Sequence, residues 1–207
     1  TLGRTIIRLY EPTSGEVIFE GEDVAKKSRK EMRALREEMQ FIFQDPYSSL
    51  NPRMTVFNIL AEPLIAHGKF KRGPELDAYV KNLMDRCGLP SYYCYRYPHQ
   101  FSGGQRQRLT IARALYKQAD ILVLDDCSSA LDYATDAALQ KQLQELKEMT
   151  KIVISQRTAS LKRCDRIMVL YHGELVGFDC HEELLKNCTV YKEIYESQNS
   201  KDGDYNG

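Results

Sequence analysis

An apolar run ends in two adjacent carboxylates: Ile121, Leu122, Val123 and Leu124 lead directly into Asp125 and Asp126. A buried strand of this kind delivers its last side chains to the carboxyl edge of a parallel sheet, where ligands bind in such folds. Hard cations prefer carboxylate oxygen, so Asp125 is a candidate magnesium ligand, acting through water. An aspartate here also serves simply to cap the next turn, and the pair alone does not separate the two roles. A second candidate is Phe101-Ser102-Gly103-Gly104-Gln105-Arg106-Gln107-Arg108. Ser102 and Gln105 have the spacing of a capping box. Gly103 and Gly104 let a phosphate approach the backbone, and the helix start offers free N–H groups. The other reading is a plain capped helix. A third candidate, Gln44, ends the run Gln40-Phe41-Ile42-Phe43 just before Asp45-Pro46.

The elements that must position these residues alternate between strand and helix. Residues 1–10 read as a helix with Leu2, Ile6, Ile7 and Leu9 on one side. Residues 11–15 are a turn and 16–20 a short strand. Residues 28–39 read as a charged, solvated helix, with Ser28 and Glu31 as a capping box. Residues 40–43 predict a buried strand and 45–53 a loop. From 56 to about 93 the pattern is helical, with one stripe at Leu60, Leu64 and Ile65 and another at Tyr79, Leu83 and Met84. Tyr92, Tyr93, Tyr95 and Tyr97 are expected to pack, since no basic groove accompanies them as base stacking would require. Helices are expected at 102–116 and 134–149, with strands at 121–124, 151–155, 166–171 and 173–178. A helix over 182–197 closes the fold, and 199–207 reads as a disordered tail.

Strands alternating with helices argue for an α/β fold, a mostly parallel sheet covered by helices on both faces. The expected division is a single domain over 1–207. Its core part is 1–55, a helical subdomain 56–101, and the segment with most of the chemistry 102–198. The strands near 166–178 make a small antiparallel part.

Composition narrows the function classes. Lys+Arg and Asp+Glu each number 29 in 207 residues, so the net charge is zero. That balance gives no general reason to bind nucleic acid or an anionic membrane. No apolar run approaches the roughly 18 residues of a membrane helix, and residues 1–10 lack a signal peptide's pattern. The expectation is a soluble protein that meets a membrane through a partner. Cys87, Cys94, Cys127, Cys164, Cys180 and Cys188 form no C-x-x-C pair and read as reduced, buried thiols.

The order of the motifs is more specific than any one of them. Gln44, then Ser102-Gly103-Gly104-Gln105, then Asp125-Asp126, then Ser129-Ala130-Leu131-Asp132, resembles the Q-loop, signature, Walker B and D-loop of the ABC ATPase family. The resemblance runs from Thr1 to about Ser197 and implies a P-loop NTPase-like fold. It implies ATP and Mg2+ as ligands, and head-to-tail pairing with a second ABC ATPase domain. Ser102, Gly103, Gly104 and Gln105 would then meet the γ-phosphate held by the partner. Gln44 would sense the metal and the attacking water and pass closure to integral membrane transporter subunits. Asp125 would hold magnesium, and Asp132 would cross the interface. Thr1 would lie at the nucleotide, because Thr1-Leu2-Gly3-Arg4 resembles the residues directly after the family's phosphate-binding loop. Such a subunit sits in the cytoplasm, against the inner face of the cell membrane.

Three features depart from the family pattern. G-x-x-x-x-G-K-[ST] does not occur in this sequence, and a truncated chain is the expected explanation. That loop supplies backbone N–H groups and a lysine for phosphate. Asp126 stands where the family usually has a glutamate that polarises water. Gln156 stands where it usually has a histidine; an amide donates a hydrogen bond but carries no proton. Asp126 and Gln156 together resemble the degenerate site of heterodimeric exporters. By contrast, Gln44-Asp45-Pro46-Tyr47-Ser48-Ser49-Leu50-Asn51-Pro52-Arg53-Met54 resembles oligopeptide and dipeptide importer ATPases. The resemblance thus implies one of two functions: an ATPase subunit for peptide import, or a non-catalytic exporter half that lends its signature to a partner's ATP. A DNA-maintenance or translation ATPase is disfavoured, because long heptads and tandem cassettes are both missing.

Overall fold

The computed structural model describes residues 2–45, 49–115, 119–127 and 149–199. The chain forms two compact units, Thr1–Ile154 and Ser155–Gly207. The predicted helix at 134–149 lies almost wholly outside the described residues.

The first unit is built on a parallel three-stranded sheet in the order β3 (Met39–Ile42), β4 (Ile121–Asp125), β5 (Thr150–Ile154). Successive β4 side chains point to opposite faces. Leu122 and Leu124 join Ile42, Ile111 and Ala114 on one face, while Val123 joins Ile7, Val24, Met32 and Leu35 on the other. Both faces are therefore covered, and a strand buried on both sides reads as an unbroken apolar run.

Short elements cover the second of these faces. Helix α1 (Leu2–Ile6) is shorter than predicted. It stops because Arg8 takes a left-handed φ of 51°. Leu9 N then donates to Arg4 O and Arg8 N to Thr5 O, the paired bonds of a Schellman stop. Gly3 lets α1 approach the sheet closely, since a Cβ there would stand 2.7 Å from Ile154 Cδ1. Strands β1 (Ile18–Phe19) and β2 (Glu22–Asp23) form an antiparallel pair. Only the first of them was predicted; β2 is a single charged pair of residues with no periodicity to read. Helix α2 (Arg29–Glu38) carries the Ser28–Glu31 capping box, and it buries Met32 and Leu35 beneath its charged face.

The stretch predicted as helical from 56 to 93 is two helices, α3 (Val56–Ala66) and α4 (Pro74–Arg86), separated by Gly68 and Gly73. They pack with α5 (Gly103–Leu115) around Leu60, Leu64, Leu83, Met84 and Leu109. Of the tyrosine cluster, only Tyr93 packs onto this core. Tyr92, Tyr95 and Tyr97 are 73%, 64% and 40% exposed, which corrects the expectation that the cluster is packing. Tyr92 meets Tyr93 edge-on, with ring centroids 4.5 Å apart, but it does so from the solvent side.

The second unit pairs β6 (Ile167–Tyr171) antiparallel with β7 (Glu174–Asp179). It opens with the one-turn helix α6 (Thr158–Leu161). The single closing helix expected over 182–197 is two, α7 (His181–Asn187) and α8 (Thr189–Asn199). Cys188 breaks them with extended backbone, so that Leu184 and Tyr191 both reach Ile167 and Val169. Asn199 ends α8 and is not part of a tail; residues 200–207 lie outside the described ones. The cysteines are all free, with Cys87, Cys94, Cys127 and Cys188 buried and Cys164 and Cys180 half-buried. No helix among the described residues is long and apolar enough to cross a membrane.

Candidate functional site

Strand register brings the predicted residues together. Ile42 of β3 stands beside Leu124 of β4 in parallel pairing. Gln44 and Asp126 come two residues after these partners, so both leave the sheet at the same carboxyl edge. There Gln44 Nε2 donates to Asp126 Oδ2 at 3.1 Å. Asp126 has a left-handed φ of 47°, a conformation uncommon outside glycine but tolerated by aspartate. Its backbone N–H donates to Ile154 O at 2.7 Å, which continues the β4–β5 ladder through the turn and holds the strained residue. The carboxylate is nearly buried and aimed at Gln44.

Asp125 is the last residue of β4, paired with Ile154. Its carboxylate lies 4.0 Å from Arg4 Nε. Arg4 also faces the rings of Phe43 and Tyr10, and its Nη1 donates to the Tyr10 hydroxyl at 3.1 Å. Arg4 was not predicted as a site residue: a lone arginine in a short helix gives no signal until the Schellman stop and Gly3 set α1 against the sheet.

No group of three or more His, Cys, Asp or Glu side chains placed to hold a metal occurs among the described residues. Magnesium keeps several waters and takes only one or two carboxylates, its other ligands being phosphate oxygens. Asp125 with adjacent Asp126 fits that demand, whereas an all-protein cation cage does not.

The Ser102 turn is a working helix start. Ser102 Oγ accepts from Gln105 N at 3.3 Å, and Ser102 N donates to Gln105 Oε1 at 2.9 Å. The expected capping box is thus present, and both glycines begin α5. A Cβ on Gly103 would meet nothing within 4 Å, so the space over this helix start is open. Arg106, one turn in, is buried and donates to Pro98 O at 2.7 Å. This ties the segment before Ser102 to α5. Further along, Arg113 Nη1 donates to Ser49 O at 2.6 Å and fastens the chain at Ser49 to α5.

Behind the carboxylates sits Cys127. Its Sγ lies 3.5 Å from Ile42 O and 3.7 Å from Asp125 O. Burial, reinforced by the Asp125 carboxylate, pushes its thiol up to about 12. Gln156 belongs to the second unit. Its side chain is exposed, and its backbone carbonyl accepts from Gln198 Nε2 at 2.7 Å. Thr1 and Asp132 lie outside the described residues.

A parallel sheet whose carboxyl edge gathers two carboxylates and a glutamine is the place where α/β domains bind their ligands. Residues 1–129 match the family described as ABC transporter. The chain belongs to that family. It is 47% identical over 192 residues to the oligopeptide transport ATP-binding protein OppF of Bacillus subtilis, covering 90% of this chain and 63% of that protein. It is 42% identical over 188 residues to a putative peptide import ATP-binding protein of Brucella ovis, covering 89% of this chain and 59% of that one. The chain therefore spans about three fifths of the length of these relatives. Among solved structures it resembles the dimeric, post-hydrolysis ATP-binding cassette MJ0796 bound to ADP and Pi. There the TM-score is 0.79 at 26% identity, covering 86% of this chain and 78% of that one. A bacterial Atm1-family ABC exporter with ATP bound gives a TM-score of 0.78 at 25% identity, covering 96% of this chain and 34% of that one. These likenesses bear out the α/β, P-loop NTPase-like fold.

Proposed function

We propose that this chain is the ATP-binding and ATP-hydrolysing part of a peptide importer, driven by ATP-dependent pairing of two cassettes. The observation that carries the reading is the Gln44–Asp126 hydrogen bond, one residue beyond a carboxylate suited to magnesium. In this reading Asp125 orients the water shell of Mg2+. Asp126 accepts a proton from the attacking water, and Gln44 fixes the carboxylate and reports its state to the loop after it. The open helix start at Ser102, Gly103 and Gly104 offers N–H groups to the γ-phosphate of ATP held by the second cassette. Magnesium supplies charge neutralisation for phosphoryl transfer when bound. Integral membrane subunits would receive the motion, placing the protein at the cytoplasmic face of the membrane. Relatives named for peptide and oligopeptide transport support the choice of cargo.

The test is uptake of a labelled oligopeptide by cells lacking the protein and complemented with it. Uptake restored by the wild type and lost with Gln44→Ala supports the reading; uptake indifferent to the protein would sink it. A second reading is favoured by Asp126 in place of glutamate and Gln156 in place of histidine. It is a non-catalytic half that lends Ser102–Gly104 to a partner. It predicts turnover by a mixed pair that survives Asp126→Asn, whereas the first reading predicts its loss.

A further inference from the structure

Gln107 is 1% exposed on the signature helix α5, and neither its Nε2 nor its Oε1 has a hydrogen-bond partner among the described residues. A buried amide without partners costs stability, and a leucine of similar size would remove the cost. Such groups are rare in folded proteins and call for a reason. Gln107 sits one turn beyond Gly103 and faces the sheet. Ile111, one turn further on, packs with Leu122, Leu124 and Cys127 on that side.

The carboxamide interacts with the Cys127 thiol, short of a well-formed hydrogen bond. That thiol in turn reaches both strands of the site. Cys127 Sγ contacts Ile42 O, the last carbonyl of β3 before Gln44, and Asp125 O, the last carbonyl of β4. One buried S–H thus stands between the two strand ends that present Gln44 and Asp126 to each other.

We propose that Gln107 and Cys127 are positioning residues that tie the chain's signature helix to its own Gln44–Asp126 pair. Displacement of α5 presses the carboxamide onto the thiol; the thiol fixes the Ile42 carbonyl, and with it the reach of Gln44 to Asp126. The loosely held amide–thiol contact is then the resting form of one that tightens when α5 is engaged. The proposal rests on the ATPase reading above.

It is tested in the full-length protein paired with its partner cassette, comparing Gln107→Leu, Cys127→Ala, their combination and Cys127→Ser. Gln107→Leu is expected to keep or raise Tm and to leave KM for ATP within about twofold, yet to lower kcat at least tenfold. Cys127→Ala should lower kcat similarly, and the combination should be no worse than the worse single variant, as for two residues acting in one chain of contacts. Cys127→Ser should retain the rate, since its hydroxyl still donates to Ile42 O. Full kcat in Gln107→Leu with raised Tm would overturn the proposal, as would losses that simply follow Tm. If Gln107→Leu does not fold, equal rates for Cys127→Ala and Cys127→Ser overturn it. A wild type without magnesium-dependent turnover would instead overturn the ATPase reading, and this proposal with it.

Discussion

The proposed hydrolysis turns on Asp126, a residue with left-handed backbone. Its left-handed backbone and its hydrogen bond from Gln44 fix the one carboxylate that the proposed reading uses to activate water. Asp126→Asn removes the proton acceptor while preserving shape. It should lower ATP turnover by about 100-fold or more, in line with general-base removal. Nucleotide affinity should be kept, and phosphate release set against equilibrium binding would separate the two. Cys127 gives a prediction about pH. Its thiol is raised from an ordinary 9.0 to about 12, so the folded state holds the proton more tightly than the unfolded one. The stability this contributes is complete below pH 9 and is lost as pH rises towards 12. In the native protein at pH 8, Cys127 should resist alkylation that modifies it readily in urea; equal reactivity in both would contradict its burial.

At the scale of elements, strand register and helix capping decide what reaches the site. The Asp125–Asp126 pair, the Ser102 capping box and Gln44 were all legible in the sequence. Each is a local signal: an apolar run that stops, a spacing of cap residues, a polar residue at a strand end. Contacts made by register across the sheet were not legible. Nothing in the sequence puts Gln44 opposite Asp126 until Ile42 is known to pair with Leu124. Arg4 and Gln107 escaped for the same reason, and the break at Cys188 was hidden because apolar spacing runs through it. Ser102→Ala removes the side-chain half of the capping box. It should destabilise by about 1 kcal/mol, typical of a lost N-cap, as read by urea denaturation. Gly3→Ala would place a Cβ 2.7 Å from Ile154 Cδ1, 3.1 Å from Val123 Cγ1 and 3.2 Å from a ring carbon of Phe41. Overpacking of this kind costs about 1–3 kcal/mol. The substitution should lower Tm, and an unchanged Tm would mean that α1 does not sit so close to the sheet.

For the whole molecule, the fold class could be read in advance because strand–helix alternation is a long-range pattern carried by many residues. The division at Ile154 could not, since Thr150–Ile154 and Ile167–Tyr171 look alike as isolated apolar runs. If Asp125 and its neighbours handle a magnesium nucleotide at the carboxyl edge of the first unit's sheet, metal and nucleotide must bind together. Equilibrium binding of a fluorescent ATP analogue to the full-length protein reads this out, with magnesium and with chelator, for wild type and Asp125→Asn. Magnesium should strengthen binding in the wild type and no longer strengthen it in Asp125→Asn. Binding equally tight with chelator, or equally magnesium-dependent in Asp125→Asn, would remove Asp125 from the nucleotide site.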